Sequence, residues 1–187
     1  MEINEAIPEY KRYTYADYCE WDDDKRWELI DGVPYAMAAP SLNHQEVLLQ
    51  LASEINNFLI GKLCRVIIAP FDVRLNADYG DDTVVQPDLL VVCDMSKLNK
   101  NSCVGAPDMV VEIISQSSSM RDRFIKFNKY LKAGVREYWI IEPESKLVSI
   151  HLLRGGQYYV NSYSGDDVAP VHVLDGCTIN LAKIFTE

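Results

Sequence analysis

The sequence predicts a mixed α/β (α+β) fold, a β-sheet core flanked by helices with an additional antiparallel β-meander, and three stretches carry that prediction. Val47, Leu48, Leu51, Ile55, Phe58 and Leu59 recur at helical spacing, and the run ends near Gly61. Gln86 to Cys93 and Asp108 to Ser115 are short, apolar and rich in β-branched residues, as core strands are. Glu137 to Ile141, Leu147 to Leu152 and Gln157 to Tyr163 are parted by Pro143 and by Gly155-Gly156, the pattern of an antiparallel meander.

The whole chain sets the bounds on function. With 187 residues, 48% hydrophobic and 25% charged, a single domain over residues 1–187 with a substantial core is expected. No apolar run reaches the roughly 18 residues that a membrane helix needs, and the start, Met1-Glu2-Ile3-Asn4-Glu5, is acidic; a soluble cytoplasmic protein without membrane contact is expected. The net charge of −10 and the pI near 4.7 exclude a broadly basic nucleic-acid binder, so DNA contact requires a local basic surface. The five cysteines are odd in number, scattered and without a C-x-x-C pair, which predicts reduced, mostly buried thiols.

Taken in order, Thr14 followed by Asp17 starts a short helix reaching Trp21, and the acids around Asp22-Asp23-Asp24 break it. Trp27 to Met37 reads as a hairpin because Asp31-Gly32 lies between apolar runs, which puts Glu28 on a strand. Asn43 is the expected cap of the long amphipathic helix. Arg65 to Pro70 and Asp72 to Leu75 read as a broken or paired strand, followed by an acidic loop at 78–82. After the polar segment Ser115 to Ser119, Met120 to Ala133 is helical and stops at Gly134. Residues 165–187 close the chain with a strand and a short helix.

The chemistry lies where acids interrupt apolar strands. Asp88 starts one core strand and Glu112 sits in the middle of the other, and a buried carboxylate costs several kcal/mol unless cations or hydrogen bonds compensate. A divalent metal is the leading compensating partner. Mg²⁺ is typically held by only one or two carboxylates with waters and phosphate oxygens, so two acids on adjacent strands suffice, and Glu28 offers a third. Such a site suits hydrolytic phosphodiester cleavage. No P-loop, G-x-G-x-x-G or G-x-S-x-G motif is present, so nucleotide hydrolysis, dinucleotide chemistry and serine hydrolysis have no support.

The set Glu28-Leu29-Ile30-Asp31-Gly32, Pro40-Ser41-x-x-His44, Gln86-Pro87-Asp88, Val111-Glu112-Ile113 and Gly134-Val135-x-Glu137-Tyr138-Trp139 resembles the Uma-two family, over roughly Tyr13 to Tyr159. That family is assigned to the PD-(D/E)XK, restriction-endonuclease-like superfamily. The resemblance implies a restriction-endonuclease-like mixed sheet and a Mg²⁺ site, with Mn²⁺ as a substitute. Asp88 and Glu112 would be the metal-binding acids and Glu28 the acid of the first core element. The superfamily lysine, two positions after the second acid, is replaced here by Ile114, and the resemblance points instead to Lys126 on the following helix.

At about 100° per residue, Phe124, Phe127 and Leu131 form one helix stripe, and Lys126 falls away from it beside Asp122 and Tyr130. From the residues alone, Lys126 is equally a solvated partner of Asp122 at i, i+4. His44, Gln86, Ser115 and Tyr130 are the expected supporting residues, and Arg121, Arg123, Lys126, Lys129 and Lys132 form the dense basic segment on which a phosphate backbone would dock. Two functions follow. The first is a Mg²⁺-dependent DNA endonuclease, expected as a homodimer, with Glu28, Asp88, Glu112 and Lys126 as its catalytic residues. The second is a catalytically inactive nuclease-like module that binds nucleic acid or assembles with another protein.

Overall fold

The computed structural model of the protein describes residues 11–114 and 121–185, the side chains of 121–123 excepted. Local signals set the first elements. Thr14 caps α1 (Tyr15–Tyr18) through its hydroxyl, and Asp17 returns the bond to the Thr14 N–H, a reciprocal capping box. β1 (Trp27–Ile30) and β2 (Val33–Ala36) form the expected hairpin. Both turn residues are left-handed, Asp31 at φ 51° and Gly32 at φ 75°, as a two-residue primed turn requires. A Cβ on Gly32 would meet Arg12 Cβ at 2.7 Å, so glycine also admits the chain that packs across the turn.

The long helix is α2 (Leu42–Leu59), and it buries Val47, Leu48, Leu51, Ile55 and Leu59. Its cap is Ser41, not Asn43, because the Ser41 hydroxyl accepts the His44 N–H at 3.3 Å and Asn43 is already inside the first turn. β3 (Arg65–Ile68) and β4 (Asp72–Arg74) follow on either side of the cis Ala69–Pro70 peptide. They are neither one broken strand nor a pair, since each joins a different sheet.

β5 (Val84–Val85) joins β1 and β4 in a five-stranded sheet ordered β2-β1-β5-β4, with β7 (Ser102–Val104) at its edge. The six-stranded sheet runs from β3 through β6 (Leu89–Val92), β8 (Met109–Ile113) and β9 (Glu137–Glu142) to the meander strands β10 (Leu147–Arg154) and β11 (Gln157–Tyr163). Its one parallel pairing among the described residues is β8 with β9, and the crossover between them carries the next helix. A two-stranded hairpin, β12 (Val168–Pro170) with β13 (Thr178–Asn180), and α4 (Leu181–Ile184) complete the fold.

Strand alternation divides the six-stranded sheet between two cores. Leu89, Val91, Met109 and Val111 face α2 and the C-terminal residues Ala169 to Phe185. Leu90, Val92, Val110 and Ile140 pack with Ile30, Val73, Val85 and Tyr130 in the other. Dozens of fully buried aliphatic and aromatic side chains, each worth about 1.5–3 kcal/mol, make these cores the main source of stability.

Two expectations require correction. Cys64 and Cys93 form a disulfide rather than free thiols, because the β3–β6 register pairs Arg65 with Val92 and sets the next residues opposite each other. Cys103 and Cys177 are buried thiols and Cys19 is an exposed one. In the crossover, Arg121–Lys126 is wound as a π-turn before α3 (Phe127–Ala133). Phe124 is 65% exposed, while Lys126 and Tyr130 turn inward beside Phe127, which packs on the core, so the expected apolar stripe is buried only in part. Gly134 at φ 89° ends α3 as foreseen, donating its N–H to the Tyr130 and Leu131 carbonyls. Among the described residues, no helix is long and apolar enough to cross a membrane.

Candidate active site

The register of β6 on β8 builds the centre of the site. Leu90 pairs with Val110 and Leu89 with Val111, so one step further sets Asp88 opposite Glu112, which accounts for their separation of 24 positions. Asp88 Oδ2 accepts the Ile113 N–H at 2.7 Å, and Oδ1 lies 3.1 Å from His44 Nε2 at the start of α2. The carboxylate thus joins the sheet to the N-terminal turn of the long helix.

Glu112 and Glu28 converge on one cation. Lys126 Nζ is 2.9 Å from Glu112 Oε1 and 2.7 Å from Glu28 Oε1, and the three residues are 3%, 4% and 1% exposed respectively. Glu112 Oε1 also accepts the Tyr130 hydroxyl at 2.6 Å, and Glu28 Oε1 accepts the Gln86 N–H at 2.9 Å. Burial, then the negative charge of Glu112 and Glu28, holds the Tyr130 phenol well above its usual range, so Tyr130 acts as a hydrogen-bond donor. Lys126 and Tyr130 reach Glu112 together because they stand at i and i+4 on one helix face.

Behind Glu28 lies a network that sequence spacing does not reveal. The Gln86 amide oxygen accepts Arg26 Nε at 3.1 Å and Nη2 at 2.9 Å, while its amide nitrogen donates to Asp72 Oδ1 at 2.9 Å and to the Tyr18 oxygen at 3.0 Å. Burial raises the Asp72 carboxyl above its ordinary 3.8, against the lowering influence of the Gln86 and Tyr18 bonds. Tyr15 is pushed up to about 12, first by burial and then by its Cys19 and Asp72 neighbours. Residues 18, 26, 72 and 86 meet only because β1, β4 and β5 lie in one sheet.

The structure therefore brings Glu28, Glu112, Lys126 and Tyr130 into direct contact, and Gln86 against Glu28. Asp88 and His44 form a second pair at the adjoining strand end. Ser115 lies outside the described residues, as do the side chains of Arg121 and Arg123. Among the described residues, no three His, Cys, Asp or Glu side chains gather in metal-holding geometry. The donor chemistry nonetheless fits a small hard cation. Asp88 and Glu112 supply two carboxylates from paired strands, which is the minimal protein set for Mg²⁺, and Glu28 is turned to the lysine.

Comparison with known proteins agrees with this architecture. An uncharacterised protein of Synechocystis sp. is 25% identical over 162 residues, covering 84% of each chain. The crystal structure of a protein from Anabaena variabilis, described as a "putative nuclease belonging to DUF820", superposes with a TM-score of 0.75 at 18% identity. That superposition covers 92% of this chain and 97% of the other, so the two share a fold of mixed sheets flanked by helices. The model of the family described as "Putative restriction endonuclease" matches residues 13–182, and on that match this chain belongs to the Uma2 family.

Proposed function

We propose that the protein is a Mg²⁺-dependent endonuclease that hydrolyses phosphodiester bonds in DNA, Mn²⁺ serving as a substitute. One observation carries this reading: a lysine from the β8–β9 crossover reaches Glu112 at 2.9 Å, immediately beside the strand end that bears Asp88. Asp88 and Glu112 are the residues that would hold the metal. The chemistry supplied by Mg²⁺ when bound is neutralisation of charge at the scissile phosphodiester.

The remaining roles belong to the chain itself. Lys126 presents an ammonium for the charge that develops on the phosphate, and Glu28 with Glu112 fixes its direction. Tyr130 orients Glu112 and His44 orients Asp88 through the bonds described above. A homodimer would set one such site against each strand of a duplex.

The test is nicking of supercoiled DNA in Mg²⁺ or Mn²⁺. Asp88→Asn and Glu112→Gln are expected to abolish it, and Lys126→Met to slow it by about 10²–10³-fold. Undiminished cleavage by both acid variants overturns the reading. A second reading, a nuclease-like binding or assembly module, is favoured by one observation, that Lys126 already pairs with both glutamates. It predicts no nicking by the wild type and no Mg²⁺ or Mn²⁺ uptake in calorimetry, even with DNA present.

A further inference from the structure

A groove open to solvent lies between the β1–β2 turn, the loop joining β4 to β5, and α3. Its enclosed part is only about 30 Å³, so it is a shallow surface groove, lined by Asp31, Asn76, Tyr79, Thr83, Lys129 and Lys132, among others. Two of its walls continue elements that bear site residues, the turn after β1 and α3. Asp31, in the turn after β1, follows Glu28 by three residues, and Lys129 and Lys132 follow Lys126 by three and six residues. At about 1.5 Å of rise per helical residue, the two lysines stand ~4.5 and ~9 Å beyond Lys126 along α3. A nucleic-acid strand advances about 3.4 Å per nucleotide, so these cations fall roughly one and three nucleotides from Lys126.

The charges in the groove are arranged unevenly. Asp81 is held by Arg74 in a two-pronged pair at 3.0 and 2.6 Å, and Asp82 accepts Asn76 Nδ2 at 2.7 Å. Asp31 pairs with Lys129 at 2.5 Å. Lys132 is exposed and has no acidic partner among the described residues. Tyr79 is 56% exposed on the opposite wall, where an aromatic face is available to a base.

We propose that this groove is the track for the nucleic-acid strand entering the site, with phosphates on Lys129 and Lys132 and a base against Tyr79. The inference rests on the nuclease reading for its direction, but strand binding is measurable without hydrolysis. Asp31 is the intrinsic competitor for Lys129, so strand entry replaces one anionic partner by another. That exchange leaves Lys132 as the uncompensated cation of the empty groove and makes its affinity adjustable at Asp31.

The experiment is fluorescence anisotropy of a labelled oligothymidylate of about eight nucleotides, in EDTA, over a range of salt concentrations. Tyr79→Ala and Lys132→Gln are expected to weaken binding about five- to tenfold, and Lys132→Gln to reduce the salt slope by ~0.7. Asp31→Asn is expected to tighten binding, since asparagine keeps the left-handed turn and removes the competing charge. Absence of wild-type binding, or wild-type affinity in all three variants, overturns the proposal. If those variants shift affinity as stated while the wild type nicks no DNA, the track stands and the nuclease reading falls. If Glu112→Gln alone stops nicking and the groove variants bind normally, the reverse holds.

Discussion

At Lys126, one ammonium is shared by Glu28 and Glu112 in a space from which water is nearly excluded. Removing one member of such a buried group is more damaging than the group is stabilising, because the orphaned charges keep their desolvation penalty. Lys126→Met is therefore expected to lower stability by about 3–5 kcal/mol in urea unfolding, and Glu28→Gln added to it to restore part of that loss. A single variant that unfolds like the wild type would contradict the burial of this charge. Asp72 behaves in the opposite sense. Its folded carboxyl binds a proton more tightly than the unfolded one, so its contribution to stability is greatest below the ordinary 3.8 and declines as pH rises through the folded value. Asp72→Asn, which keeps the acceptor oxygen used by Gln86 and Tyr18, is expected to flatten that part of the thermal stability profile above pH 4. Asp88, Glu112 and Glu28 were readable as residues because acids in apolar strands need partners. Arg26 and Asp72 were not, since each lies in an unremarkable polar stretch until the sheet joins them.

Among the elements, the crossover between β8 and β9 departs most from sequence periodicity. Helical spacing at 3.6 residues per turn put Phe124, Phe127 and Leu131 on one stripe away from Lys126, but the π-turn at Arg121–Lys126 precedes α3, Phe124 is exposed and Lys126 is buried with Tyr130 beside Phe127. The buried glutamates add Lys126 and Tyr130 to the side on which Phe127 packs. The β3–β6 pair shows the same limit, because the Cys64–Cys93 partnership is a property of register and neither cysteine has a local signal. Closing a loop of 29 positions removes disorder from the unfolded chain by ~3–4 kcal/mol. A thiol reductant is expected to lower the urea midpoint accordingly and to leave Cys93→Ser unaffected, both followed by circular dichroism. The hairpin at Asp31-Gly32, the α2 stripe and the meander were legible because a turn residue or a period defines each one locally.

For the whole molecule, the sequence supplied strands and helices but not their division into a five- and a six-stranded sheet, which depends on β3 and β4 parting at residues 69–71. The resemblance to the Uma-two family provided the broader architecture, and the site follows from it only once the β6–β8 register is known. The net charge of −10 also acquires a local meaning: several acids near the proposed track are tied to Arg74, Asn76 and Lys129, while Lys132 remains exposed. A final consequence concerns position 114. Because the lysine arrives from the crossover helix, the residue after β8 is released from charge chemistry, and Ile114 packs instead with Tyr130, Val135 and Tyr138. The strand end thus serves as hydrophobic ballast, and the completeness of the charge cluster depends on the docking of α3. Any loosening of that crossover would open the charge cluster before it disturbed the sheet.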